Sequence, residues 1–295
     1  MENIQHPNWR AISLATIVAI SFAANSTFAA LAYAGGSNPL SILCVRSSTS
    51  FVILYIFLAC FRISRALPQH QRAPALGLGL VMMVSSYGLL GAISHMPVAL
   101  VVITVYTYPI IVACVGWLSG QEPFRPYFAF ALVVAFLGLT LALDLNGTTS
   151  NLLGLGLALM ASAGVAGLLI GNERIHRGQD SRAFTLHMQG TAMIGFCAVA
   201  IMSGSFLLPV TFSGWIGFLG APLCYAFASV FLFVVLSKIG SVRTALIMNL
   251  EPVSSVALAY LLLAQELTQL QLFGVALVVG AIIAIEVGKP SAKHS

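Results

Sequence analysis

Two ionisable residues, Arg46 and Glu251, lie deep inside long apolar stretches. A charge held at the middle of a bilayer costs about 2.5–3.5 kcal/mol on insertion scales, so such residues tend to face partners or pathways. Arg46 can pair a substrate carboxylate or a helix carbonyl in a cavity. It can equally act as a structural staple or snorkel toward the surface. Glu251 sits beside Pro252, which has no N–H and frees the carbonyl of Met248. Pro109 does the same to Val105. Asn249 and Glu251 flank the second break; Glu251 can take a substrate amine or carry a proton, or it can be protonated or hydrogen-bonded and only lock packing. Tyr87, Tyr106, Tyr108, Tyr225 and Tyr260 bring hydroxyls into apolar surroundings, with Tyr87 and Tyr225 at comparable places in the two halves. Aromatic walls with polar tips suit an amphipathic ligand, although packing alone also accounts for any one Tyr. Ser21 and Asn25, four residues apart, form a polar stripe on one helix face. Gln189 and nearby His187 add polarity to a later stretch, and His187 can titrate near neutral pH or serve structure. The substrate-binding candidates are therefore Arg46, Tyr87, Tyr225, Asn249, Glu251, Ser21, Asn25 and Gln189. Pro109, Pro252, Tyr108 and His187 are candidates for helix breaks and gating.

Positioning these residues falls to helices in lipid. The 295-residue chain is 59% hydrophobic and 7% charged, with mean hydropathy +0.98. A soluble domain carries roughly 25% charged residues, so the composition excludes an ordinary cytosolic enzyme, a disordered regulator and a fibrous protein. Ten apolar segments are expected, at 11–33, 40–61, 74–94, 98–118, 127–145, 151–170, 183–206, 214–237, 242–264 and 268–287. Their lengths suit transmembrane helices of roughly 20 residues, not the alternating segments of about 10 residues in an outer-membrane barrel. Turn chemistry punctuates them, as at Gly35-Gly36-Ser37-Asn38-Pro39, Met96-Pro97 and Ile239-Gly240. Ala32-Tyr33-Ala34 resembles a signal-peptidase site, but the preceding stretch is too long, so the segment is kept as a helix. Twelve of the thirteen Lys and Arg residues fall at one side of this ten-span scheme. The positive-inside rule then places both termini in the cytoplasm. A net charge of +5 is thus spent on orientation and does not indicate nucleic acid. The five Cys, at 44, 60, 114, 197 and 224, lie inside apolar runs without ligand spacing and read as core residues. No metal site or cofactor is expected.

The two halves resemble one another at a shift of about 143 residues. Ser94-His95 overlays Ser237-Lys238, and Pro109 overlays Pro252. Gln121-Glu122 meets Gln265-Glu266, and Gly138 with Asp144 meets Gly280 with Glu286, after one-residue slips. Arg46 and Gln189 are likewise mates. Residues 1–148 and 149–295 then form two five-helix repeats, and an odd helix number inverts the second. Inverted repeats with interrupted helices at matching positions are a construction principle of secondary transporters.

Pro109 followed by Gln121-Glu122, and Glu251-Pro252 followed by Gln265-Glu266-Leu267-Thr268 and a Gly274…Gly280 helix, resemble the repeated closing module of EamA-type permeases. Pro39 with Arg46 fits the same family, part of the drug/metabolite transporter superfamily. Ser21 and Asn25 stand where members often carry Trp and Gly. The resemblance implies an all-α inner-membrane protein that exports small metabolites, and within the superfamily the chain is most similar to YddG-like amino-acid exporters. The expected partners are a small-molecule substrate and the lipid bilayer, with a proton as a candidate second cargo. A bacterial source and a monomer are expected. The alternatives are an exporter of other metabolites or cationic drugs, or a non-transporting intramembrane enzyme or receptor-like protein. A zwitterion suits opposite charges at Arg46 and Glu251, whereas a cationic drug has no use for Arg46. Enzyme motifs are missing: there is no H-E-x-x-H, P-loop or G-x-S-x-G.

Overall fold

The computed structural model describes residues 9–119, 130, 133–134, 137–138, 141, 151–176, 182–248 and 250–288. Its regular elements are all helices, with no strand among the described residues. The helices are α1 (Trp9–Ala34), α2 (Pro39–Cys60), α3 (Gln69–Ile93), α4 (Val98–Val105), α5 (Tyr108–Leu118), α6 (Leu152–His176), α7 (Arg182–Ser203), α8 (Phe212–Met248), α9 (Leu250–Leu263) and α10 (Gln269–Gly288). Seven described stretches are long and apolar enough to cross a bilayer: Trp9–Ala34, Pro39–Cys60, Gln69–Ile93, Val98–Gly116, Leu152–Gly171, Arg182–Ser203 and Phe212–Leu232. Two shorter apolar helices, Leu250–Leu263 and Gln269–Ala281, accompany them. Leu152 and Ile201 are each 81% exposed and Phe212 is 83% exposed. Apolar surface displayed on this scale finds its favourable solvent in hydrocarbon.

Local sequence explains the punctuation. Asn38 caps α2: its Oδ1 accepts from the Ser41 N–H at 2.8 Å, with Pro39 opening the helix. Gly36 takes φ +98°, a conformation costly for any residue with a Cβ, and so closes the α1–α2 turn. The expected fourth span divides into α4 and α5 at Tyr106-Thr107. Pro109 lies in the first turn of α5, where its missing N–H costs nothing. At Ile239-Gly240, by contrast, the expected turn does not end the helix, and α8 continues to Met248. A single Gly lowers helix propensity by only about 1 kcal/mol and does not by itself break a helix. Most of the expected fifth span, the Gln121-Glu122 motif and Asn249 lie outside the described residues.

The bundle is held by close backbone approach. Helix α1 packs along α8 and α9, α3 along α6 and α7, α2 against α7 and α8, and α4 against α6 and α9. A Cβ on Gly217 of α8 would collide with the Phe28 carbonyl and the Ala32 nitrogen of α1. On the other side, a Cβ on Gly88 of α3 would meet the Leu157 carbonyl of α6 at 2.6 Å and the Ala161 nitrogen at 2.9 Å. In lipid no hydrophobic effect drives helices together, so small residues and the van der Waals contact they permit matter more. Helices α2 and α7 run antiparallel, because Cys44 meets Cys197 and Phe51 meets Gly190.

The two ends of the bundle differ. One end gathers the α1–α2 turn, the α3–α4 turn, the α7–α8 loop and the α9–α10 connection. There the Gly35 carbonyl accepts from Val210 N–H at 2.8 Å, and Ser37 Oγ donates to the Leu207 carbonyl at 3.0 Å. Ser41 Oγ accepts from Leu207 N–H at 2.7 Å. Gln265 Oε1 accepts from Val98 N–H at 3.1 Å, capping α4 from the opposite half of the chain. Among the described residues, Lys and Arg are missing from this end; Arg10, Arg62, Arg65, Arg72 and Arg182 stand at the opposite helix ends.

Candidate functional site

Arg46 is held in the bundle by three helices. It is 3% exposed, and its guanidinium carbon lies 4.3 Å from the centroid of the Tyr225 ring on α8. Phe22 of α1 meets the same ring edge-on, with centroids 5.9 Å apart. Tyr33 of α1 is a further ionisable neighbour of Arg46, and its hydroxyl donates to the Leu90 carbonyl of α3 at 3.0 Å. One guanidinium nitrogen, NH1, is shielded from solvent and has no hydrogen-bond partner among the described residues. A cation over an aromatic face gains about 0.5–2 kcal/mol, which offsets only part of the cost of withholding it from water. The remaining N–H capacity is suited to a planar anionic group, for which guanidinium is the preferred donor.

Glu251 belongs to a second polar cluster where the two halves meet. The Tyr106 hydroxyl lies 2.7 Å from Glu251 Oε2 and 3.1 Å from the Met248 carbonyl. That carbonyl is the one Pro252 deprives of its helical donor. Tyr106 has a single hydroxyl proton for two acceptors. When it donates to Met248, only a protonated Glu251 can complete the set by donating to the Tyr106 oxygen. When Glu251 is ionised it accepts the Tyr106 O–H hydrogen bond, and the Met248 carbonyl loses this donor. Next to this joint, Thr107 Oγ1 and Ser162 Oγ are 2.9 Å apart, tying the α4–α5 break to α6.

The sequence candidates thus divide. Arg46 and Tyr225 are brought together, and Tyr33 also neighbours Tyr87. The Tyr108 ring lies beside that of Tyr106, tilted by 58° with centroids 5.6 Å apart. Glu251 pairs with Tyr106, not with Arg46, so the two charges form no ion pair. Asn25 and Gln189 are each 2% exposed, and their side-chain oxygens have no partner among the described residues. Through the α2–α7 register, Gln189 lies roughly opposite Val52, about 9 Å along the helix from Arg46. Ser21 turns back onto its own helix, donating to the Ile17 carbonyl at 2.8 Å, and His187 Nδ1 lies 2.9 Å from the Ala183 carbonyl. Both are therefore satisfied locally. Asn249 lies outside the described residues.

Sequence reasoning missed Ser50, Ser255 and Tyr33. Ser50 and Ser255 are fully buried, their hydroxyl oxygens have no partner among the described residues, and each follows a key charge by one turn: Arg46 to Ser50 and Glu251 to Ser255. That i,i+4 spacing was the available signal. Tyr33 was hidden between alanines. It also lines a cavity of about 570 Å³ at the end lacking basic residues, with Ser37, Asn38, Ser94, Leu263 and Gln265. Tyr33 thus lines this cavity and is at the same time an ionisable neighbour of Arg46, which does not itself line it. Among the described residues no cluster of His, Cys, Asp or Glu could hold a metal ion.

Comparison with known proteins supports the same architecture. A solved structure described as "Crystal structure of protein" matches with a TM-score of 0.60 at 17% identity, covering 94% of this chain and 95% of the other. Similarity at that identity speaks for the fold alone. No curated protein matches the sequence. The EamA-like transporter family matches twice, over residues 9–143 and 152–287. With nearly the whole length covered, the chain belongs to the EamA-like transporter family of the drug/metabolite transporter superfamily, as a multi-pass membrane protein of a non-enzyme family.

Proposed function

We propose that the protein exports small amphipathic metabolites, foremost amino acids in the manner of YddG-like exporters, by alternating access between two inverted halves. The observation that carries this reading is the buried Arg46 guanidinium, stacked on Tyr225 with NH1 unpartnered and no acid paired to it among the described residues. A substrate carboxylate supplies the missing acceptor, and the Tyr33, Tyr87 and Tyr225 rings suit the apolar part of an amphipathic molecule.

Residues 1–148 and 149–295 are the proposed halves, each contributing five spans. The helix neighbours support inversion, since exchanging the halves preserves the pairings. The α1–α8 packing maps onto α6–α3, α2–α8 onto α7–α3, and α9–α1 onto α4–α6. The antiparallel α2–α7 pair maps onto itself. The basic end is assigned to the cytoplasm of a bacterial inner membrane, so the cavity beside Tyr33 opens outward. Glu251, Tyr106 and the freed Met248 carbonyl form the joint between halves, where a changed hydrogen-bond pattern accompanies rocking.

The test is uptake of labelled amino acids into proteoliposomes. Protein-dependent flux that unlabelled amino acids suppress supports the reading. Flux of organic cations alone, with no amino-acid competition, transfers it to cationic drugs.

A further inference from the structure

Cys44 of α2 and Cys197 of α7 come from the two halves of the chain, yet their sulfur atoms are 3.0 Å apart. Both are half-buried, and neither belongs to the polar clusters around Arg46 and Glu251. Ser48 Oγ lies 3.8 Å from Cys197 Sγ, while its own hydrogen goes to the Cys44 carbonyl at 2.7 Å. The two thiols line a surface pocket of about 300 Å³ with Ala200, Ile201, Gly204 and Phe206, at the end of the bundle without basic residues. In a membrane helix, two isolated thiols gain little by meeting, since sulfur is a weak donor and acceptor. Their value together is chemical: no backbone movement is needed to bring the sulfurs within reach of one another.

We propose that Cys44 and Cys197 form a thiol–disulfide modification site that fixes α2 to α7 and stops the two halves from moving past each other. The oxidant is a low-molecular-weight disulfide, RSSR, approaching from the pocket that both thiols line. One cysteine loses its proton to water and attacks RSSR, giving a mixed disulfide and releasing RS⁻, which takes up a proton as RSH. The second thiol, likewise deprotonated, attacks the cysteine sulfur of the mixed disulfide. The Cys44–Cys197 bond forms and a second RSH leaves, so two thiols are oxidised while one disulfide is reduced. A disulfide holds its two Cα atoms within about 4.4–6.8 Å, a limit that sliding of α2 along α7 would exceed. The oxidising side of a bacterial membrane is the outer one, where the reading above places this pocket. The effect on flux rests on that transport reading; the bond itself does not.

The experiment treats the full-length protein in proteoliposomes with the small uncharged disulfide hydroxyethyl disulfide, then counts reactive thiols after denaturation and measures flux. A cleavage site placed in the connection between the halves reveals the bond as fragments joined without reductant. The expected result is the loss of two reactive thiols, joined fragments and loss of flux, all reversed by dithiothreitol. C44S and C197S are expected to keep four reactive thiols, separate fragments and full flux under the same oxidant. Fragments that stay separate overturn the site, as does crosslinking that also persists in C44S. Joined fragments with undiminished flux overturn the lock. If the reduced protein moves no amino acid, the transport reading fails on its own, while the crosslink still decides whether the thiols form the site.

Discussion

Replacing Arg46 with Met separates ligand recognition from packing, because the two contributions to stability oppose one another. Met keeps an unbranched apolar stem in the same space. Losing the stack on Tyr225 costs about 0.5–2 kcal/mol. Removing a deeply placed charge recovers about 2.5–3.5 kcal/mol on insertion scales. The variant is therefore expected to unfold at the same temperature as wild type or higher. A carboxylate that has lost its guanidinium partner binds more weakly by about 2–5 kcal/mol. At 1.4 kcal/mol per decade this is a loss of about 30-fold to several thousand-fold in affinity. The assay compares an amino acid with its carboxamide, which keeps the amine and side chain but not the anionic group. In wild type the amino acid should compete far better than the carboxamide; in R46M the two should compete alike. If R46M retains wild-type preference for the acid, Arg46 does not recognise a carboxylate. If it weakens both ligands equally with a lower melting temperature, Arg46 is a structural staple.

Other substitutions test the joint, the cap and the close-packed seams. Tyr106→Phe leaves the Met248 carbonyl and Glu251 without their shared donor, and should cost about 1–3 kcal/mol of stability. Glu251→Gln can donate to the Tyr106 oxygen while Tyr106 donates to Met248, so thermal unfolding should show a smaller loss than for Tyr106→Phe; the reverse order would contradict the hydrogen-bond assignment. Gln265→Ala removes the side-chain acceptor at the start of α4 and should lower stability by about 0.5–2 kcal/mol, read as a shift in melting temperature. Gly217→Val forces α1 and α8 apart and should abolish monodisperse protein in detergent. Gly77→Val, at a position with nothing within 4 Å of the added Cβ, should behave as wild type in the same chromatographic profile.

Much of the bundle was legible because lipid imposes a simple rule on sequence. Backbone groups in hydrocarbon must be satisfied within a helix, so apolar length announces a span and Gly, Pro and Asn announce its ends. The α1–α2 turn at Gly36 and the interruption of the fourth span beside Pro109 follow this rule. The continuation of α8 past Gly240 departs from it, since glycine permits a turn without requiring one. Arg46 and Glu251 were legible for the same reason: charge is so scarce that two residues inside apolar runs stand out. Tyr33 did not, because a hydroxyl among alanines carries no periodic signal.

What sequence alone determined was composition-driven: a helical membrane protein, two related halves, an uneven distribution of Lys and Arg, and a short set of polar residues in hydrocarbon. Tertiary structure decided the partners. It stacked Arg46 on Tyr225, gave Glu251 to Tyr106 and not to Arg46, capped α4 with Gln265 from the other half, and brought Cys44 to Cys197. Each of these contacts joins residues more than 140 positions apart. Hydrophobic length is written locally along a helix, whereas the choice of neighbour depends on helix rotation and on where glycines let backbones approach, which is fixed only when the whole bundle packs.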